Sequence, residues 1–191
     1  MTKTEFKDVI QQDLLRYNIR QPFSLGLFLK CFLTNSAPGL RFLLIHRYCQ
    51  YYRRTNRFFF YFFLLWLNRL KYKFGFDISY RTNIGKGFYI GHFGGIVVHG
   101  DAEIGENCNL SQGVTIGVLI RGKKPGVPKI GSRCFLGPGA TILGGVNIGD
   151  DVLIGANAIV TFDVPSNSVV ASPLASIVSN QGSKGYIVNI N

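Results

Sequence analysis

The residue best placed to move a proton in this chain is His92, in the segment YIGHFGGIVVHGD. Two glycines, Gly94 and Gly95, follow it almost at once, and paired glycines let a ligand approach the backbone and turn amide N–H groups outward. An imidazole beside such a segment has the makings of a general base next to an oxyanion site, with Gly91, Gly94 and Gly95 around the reacting group. Asp77 stands 15 positions before His92. A carboxylate at that spacing can accept from an imidazole N–H and fix its tautomer, or it can cap the first element of the region it opens. The other two histidines read differently. His46 lies among aromatics as a structural residue, and His99 reads as a turn residue.

What must position these groups is a repeat. From Ile78 onward a bulky aliphatic residue returns every sixth position, usually followed by glycine, as in Ile84-Gly85, Ile104-Gly105, Ile130-Gly131 and Ile148-Gly149. A period of six fits neither a helix nor an ordinary strand. It fits short strands wound flat around a triangular prism, with the aliphatic side chains pointing inward. Ile78, Ile84, Ile90 and Ile96 form one run, and Val98, Ile104, Leu110 and Ile116 a second, displaced by two. Ile130, Leu136, Ile142, Ile148, Ile154 and Val160 form the third. Eight extra residues fall within 118–129, VLIRGKKPGVPK, whose Gly, Pro and Lys suit an exposed loop. Compact residues recur four places after each inward aliphatic. Cys108 and Cys134 fall in that register, which makes them core filler rather than nucleophiles or metal ligands.

Composition bounds the rest. The 191 residues suffice for one main domain and an extension. Four cysteines without paired spacing indicate neither a zinc site nor a disulfide framework, and suit a reducing cytoplasm. The polar start MTKTEFKDVIQQDLL is not a secretory signal. Residues 1–76 carry 13 Lys and Arg against 3 Asp and Glu, whereas 77–191 carry 8 against 7, so the basic character belongs to the first third. That third is also aromatic, and its longest uncharged apolar run, Phe58 to Leu67, is too short to span a bilayer. Peripheral membrane contact through 41–76 and simple packing of a helical cap both remain open. No nucleic-acid motif accompanies the charge. The expected organisation is a basic, aromatic-rich α-helical region (1–76), a parallel β-helix (77–164) with its loop at 118–129, and a tail (165–191).

From Asp77 to Val178 the chain resembles the serine acetyltransferase branch of the hexapeptide-repeat acyltransferases, on the strings HFGGIVV, QGVTIG, PKIG and GATILGG. The resemblance implies that the parallel β-helix is left-handed, and it implies a homotrimer with acetyl-CoA in a groove between adjacent rods. It places the family's catalytic pair on Asp77 and His92, with His92 Nε2 as general base and direct attack of an acceptor hydroxyl on the thioester. It also places cofactor contacts near Gly117, Gly137, Pro138 and Ala156. Arg121, Lys123, Lys124 and Lys129 join these by charge and loop position as phosphate contacts or solvated loop charges. No metal is called for. Two positions depart from the serine enzymes: Gly91 stands where they carry an acid before the histidine, and Val127 where they carry a histidine before PKI. Those departures, with the basic aromatic extension, point to a sugar hydroxyl of surface polysaccharide as acceptor, worked on in the cytoplasm or at the inner face of the membrane. Serine itself is the alternative acceptor. A non-catalytic trimeric scaffold is an alternative of another class, and a metalloenzyme of the carbonic anhydrase kind is disfavoured by the shortage of histidines on the rod.

Overall fold

The structure, a computed structural model, describes residues 2–34, 37–177 and 179. Four helices come first: α1 (Lys3–Arg16), α2 (Leu25–Leu33), α3 (Pro38–Thr55) and α4 (Arg57–Phe74). Each start has a local cause. Thr2 and Glu5 form a reciprocal capping box on α1, Ser24 accepts from the Leu27 N–H on α2, Pro38 opens α3, and Asn56 accepts from the Phe59 N–H on α4. Helix α4 ends at Gly75, whose φ of 69° is the left-handed cap that releases the chain into the β region. The sequence reading gave only a helical region over 1–76, within which the break at Asn56 separates α3 from α4. It passed over α2, although Ser24 before an apolar run was the available signal.

The helices are tied to the β region by a buried ion pair. Arg47 of α3 donates through Nε to Asp13 of α1 at 2.9 Å, and the two side chains are 2% and 1% exposed. Asp13 also accepts from the Phe88 N–H at 2.9 Å, while Arg47 reaches the Ile84 and Gly85 carbonyls at 2.6 and 2.7 Å. His46, one residue earlier, is fully buried, donates through Nε2 to the Ser79 carbonyl at 3.0 Å, and has no partner at Nδ1 among the described residues. Its role is structural, as expected. These contacts fix α1 and α3 against the first coil, and α4, packed on α3, runs through Gly75 directly into the strand that carries Asp77.

The rest is a parallel β-helix. Its strands are β1 (Phe76–Ile78), β2 (Asn83–Ile84), β3 (Tyr89–Ile90), β4 (Ile96–Val98), β5 (Glu103–Ile104), β6 (Asn109–Leu110), β7 (Thr115–Gly117), β8 (Lys129–Ile130), β9 (Phe135–Leu136), β10 (Thr141–Leu143), β11 (Asn147–Ile148), β12 (Leu153–Ile154), β13 (Ile159–Val160) and β14 (Val169–Val170). They stack into three faces, β1-β4-β7-β10-β13, β2-β5-β8-β11 and β3-β6-β9-β12-β14. The inward aliphatics are almost fully buried, each contributing roughly 1.5–3 kcal/mol relative to exposure. The glycine that follows them at one corner has a steric reason. A Cβ on Gly85, Gly105 or Gly131 would meet backbone atoms of the next coil at 2.5–2.6 Å, because the coils stack there with no room for a side chain.

The register needs one correction. Ile78 pairs with Val98, twenty residues on, and Val98 pairs with Ile116, eighteen on. Val98 therefore continues the inward row of Ile78. Ile96 instead pairs with Phe76, in the row that continues as Val114, Ala140 and Ala158. The two additional residues lie in the turn between β3 and β4, which holds Gly91 to Gly95. The eight-residue insertion falls where expected, between β7 and β8. Cys108 and Cys134 are buried and free, as core filler. Strand β14 extends the stack beyond position 164. Of the expected tail (165–191), the run GSKGYIVNIN lies outside the described residues.

Candidate active site

His92 occupies the enlarged turn between β3 and β4. That turn is held to the residues just before Asp77 by two bonds: the Gly94 N–H donates to the Phe74 carbonyl at 2.9 Å, and the Ile96 N–H to the Gly75 carbonyl at 3.1 Å. Asp77 points outward from β1 with its neighbours Phe76 and Ile78 buried. Fold and register thus bring the histidine turn and the aspartate strand side by side, both open to solvent.

The expected hydrogen bond between them is not formed. Asp77 Oδ1 lies 2.7 Å from Lys71 Nζ, in the last turn of α4, and the carboxylate remains 72% exposed. His92 makes no hydrogen bond among the described residues. The Lys71 contact was not expected, because a helical lysine six positions upstream carries no repeat signal. A depression of about 380 Å³ opens here, lined by Lys71, Tyr72, Phe76, Asp77, Gly95 and Val97 among others. His92 stands on the turn beside it.

The two glycines have different roles. Gly95, with φ of 65°, stacks on Gly113 and belongs to a column of left-handed turn positions continued by Gly139 and Asn157. Gly94 has its N–H committed to Phe74, so it is withdrawn as an oxyanion donor. The Gly95 N–H has no backbone or side-chain acceptor among the described residues and stays available.

The candidate cofactor residues divide by corner. Gly137, Pro138 and Ala156 lie in the turns stacked on the His92 turn, so these are brought together with it. Gly117 ends β7 at the opposite edge of the same face. The insertion beyond it closes on itself through paired Leu119 and Gly126 bonds of 3.0 and 2.8 Å and rests on the next coil through the Gly145 N–H to the Lys124 carbonyl. At its tip Arg121 and Lys123 are exposed without side-chain partners among the described residues, which leaves them open to a phosphate. Lys124 instead pairs with Asp163 at 2.5 Å. Lys129 projects from the neighbouring face and pairs with Glu103 at 2.9 Å, so each of these two lysines faces a carboxylate on the surface of the rod. His99 accepts the Asp101 N–H through Nδ1 at 3.2 Å, confirming a turn role. Among the described residues no cluster of His, Cys, Asp or Glu could hold a metal.

Comparison with known proteins adds identity to this geometry. Residues 128–161 match the family model for bacterial transferase hexapeptide, six repeats, which carries the left-handed winding expected of the coils. The serine acetyltransferase of Helicobacter pylori (strain ATCC 700392 / 26695) is 34% identical over 143 residues, covering 74% of this chain and 82% of that protein. Among solved structures, serine acetyltransferase from Brucella abortus strain S19 in complex with coenzyme A superposes with a TM-score of 0.72 at 28% identity, over 92% of this chain and 68% of that one. The enzyme of Neisseria gonorrhoeae in complex with serine gives 0.70 at 29%, over 92% and 70%. The chain spans 62–70% of such solved chains. Serine enzymes recur throughout, and this overturns the surface-polysaccharide sugar acceptor: the two positions that suggested it, Gly91 and Val127, are local departures inside a chain otherwise aligned with serine acetyltransferases. The bonded core, the enlarged turn and the length of the match agree that the chain belongs to the serine acetyltransferase family of hexapeptide-repeat transferases.

Proposed function

We propose that this chain transfers the acetyl group of acetyl-CoA to the hydroxyl of serine, with His92 as general base. The observation that carries the reading is the 34% identity sustained over 82% of the Helicobacter pylori serine acetyltransferase. The likeness to a coenzyme A complex and to a serine complex supports the two substrates. His92 Nε2 accepts the serine hydroxyl proton as the oxygen attacks the thioester carbonyl, and returns it to the departing thiolate. For the reaction Asp77 would have to turn its second carboxylate oxygen, which Lys71 leaves open, onto the imidazole N–H that it does not reach in this structure. The Gly95 N–H faces the developing oxyanion. Lys71 supplies a cation beside the depression, suited to the carboxylate of serine where Gly91 and Val127 offer no charge.

Acetyl-CoA would reach both edges of one face only across a subunit boundary. The exposed outward side chains Val97, Phe135, Leu153 and Ile159 are the kind a homotrimer covers. Gly137, Pro138 and Ala156 of one rod would then face Gly117, Arg121 and Lys123 of the next. The thiols of Cys49, Cys108 and Cys134 suit a reducing cytoplasm. No helix among the described residues is long and apolar enough to cross a membrane.

The test is thiol release from acetyl-CoA with and without L-serine, with threonine and a hexose as controls. Serine-dependent release that follows the serine concentration sustains the reading, and its absence above background hydrolysis overturns it. Lys71→Met should raise KM for serine about tenfold or more while leaving KM for acetyl-CoA nearly unchanged, as expected when a charged partner of a bound carboxylate is lost.

A further inference from the structure

Helix α4 is apolar on two sides. Phe63, Leu67, Leu70 and Phe74 recur at helical spacing and are buried. Phe58, Phe62, Leu65 and Tyr72 recur at the same spacing on the other side and are exposed, Phe58 at 75% and Leu65 at 73%. A helix apolar all round is normally covered all round. Helix α2 lies alongside, since Phe28 and Phe32 pack on Trp66 at 6.0 and 4.8 Å, and it exposes its own row, Leu25, Leu29 and Leu33. The two rows flank Trp66, and Phe62 joins it to the outer row of α4. The result is one continuous apolar patch, larger than the scattered exposed residues a soluble surface ordinarily carries.

Charge decides what covers it. Between positions 14 and 76 there is no Asp or Glu, while Lys30 of α2 and Arg57, Arg69 and Lys73 of α4 are exposed on the two helices that carry the patch. A second copy docking the same patch would oppose these cations to each other at close range. An acidic surface with an apolar layer beneath it complements both features. We infer that α2 and α4 form a docking face for an anionic lipid bilayer, on which the helices lie flat with Phe58, Phe62, Leu65 and the α2 leucines in the acyl boundary and the cations among the headgroups. The inference is independent of the reaction proposed for His92.

The experiment is sedimentation of the full chain with vesicles of phosphatidylcholine alone or with about a third phosphatidylglycerol. Binding is expected to the anionic vesicles and not to the neutral ones, and to fall steeply between about 0.1 and 1 M salt. The pair Arg57→Gln and Arg69→Gln should weaken binding about fivefold for each cation removed. The pair Phe58→Gln and Leu65→Gln should abolish it. Thiol release and helical circular dichroism should be unchanged in both pairs, which shows that the chain is folded. No binding to anionic vesicles at low salt overturns the proposal. So does an unaltered affinity in the glutamine pair at Phe58 and Leu65. A fall in particle mass by light scattering in that pair, without loss of vesicle binding, overturns it in favour of a second copy as occupant.

Discussion

The buried Asp13–Arg47 pair offers the sharpest test of how the helical region holds the site. Replacing Asp13 by Ala strands the Arg47 guanidinium in a place 2% exposed, and it removes the acceptor of the Phe88 N–H. Breaking a buried pair from one side costs about 3–5 kcal/mol, and an orphaned buried N–H adds about 1–3 kcal/mol. Part of the first cost is softened because Arg47 keeps the Ile84 and Gly85 carbonyls. A net loss of about 4 kcal/mol is expected, which at a urea m-value of about 2 kcal/mol/M moves the unfolding midpoint down by about 2 M. The assay is urea unfolding by circular dichroism at one fixed protein concentration, because assembly makes apparent stability concentration-dependent. Asp8→Ala is the control: it breaks the exposed pair of Asp8 with Lys86, 3.0 Å apart, and should change stability by less than about 1 kcal/mol. Joint replacement by Asp13→Leu and Arg47→Met should recover most of the loss, since an apolar pair needs no charge compensation. A single Asp13→Ala that costs no more than the Asp8 control would refute the reasoning.

Further expectations concern catalysis, the coil stack and pH. His92→Ala should lower kcat for thiol release about 100- to 10,000-fold with coenzyme A affinity retained by calorimetry, and near-normal turnover would remove His92 from the mechanism. Gly131→Ala places a Cβ 2.6 Å from the Gly149 backbone and should cost about 1–3 kcal/mol or more; Gly94→Ala meets no atom within 4 Å and bears only its backbone strain, so the urea midpoints should rank Gly131→Ala below it. His46 titrates near 3 instead of 6.5, chiefly because burial disfavours the charged ring and secondarily because Arg47 is adjacent. The unfolded chain therefore binds a proton that the folded chain refuses as pH falls below about 6.5, and stability from this group declines from there toward about 3. In His46→Gln the midpoint should vary less with pH over that window, and superimposable pH profiles would count against the assignment.

The period of six legibly specified a prism of parallel strands, because a side chain at each corner has a single inward direction and, at the corner of Gly85, Gly105 and Gly131, the next residue has no room for a side chain. The eight-residue insertion was equally plain, since a repeat makes any excess countable. Ile96 was misassigned for a related reason: Ile96 and Val98 are both apolar and both buried, and only pairing with Phe76 and Ile78 shows which of them continues the row. The acceptor was misread because two side chains at Gly91 and Val127 were weighed as if no other residue could replace them.

What the sequence determined by itself is therefore periodic: the coil, its loop, the core cysteines and the placing of His92 at the break in the repeat. What only the tertiary structure decided is non-periodic. Lys71 reaches Asp77, Lys124 and Lys129 find Asp163 and Glu103, and the Gly94 N–H is claimed by Phe74. These contacts join residues on different elements or different coils, where no local spacing constrains the partner and only the completed stack sets the distance.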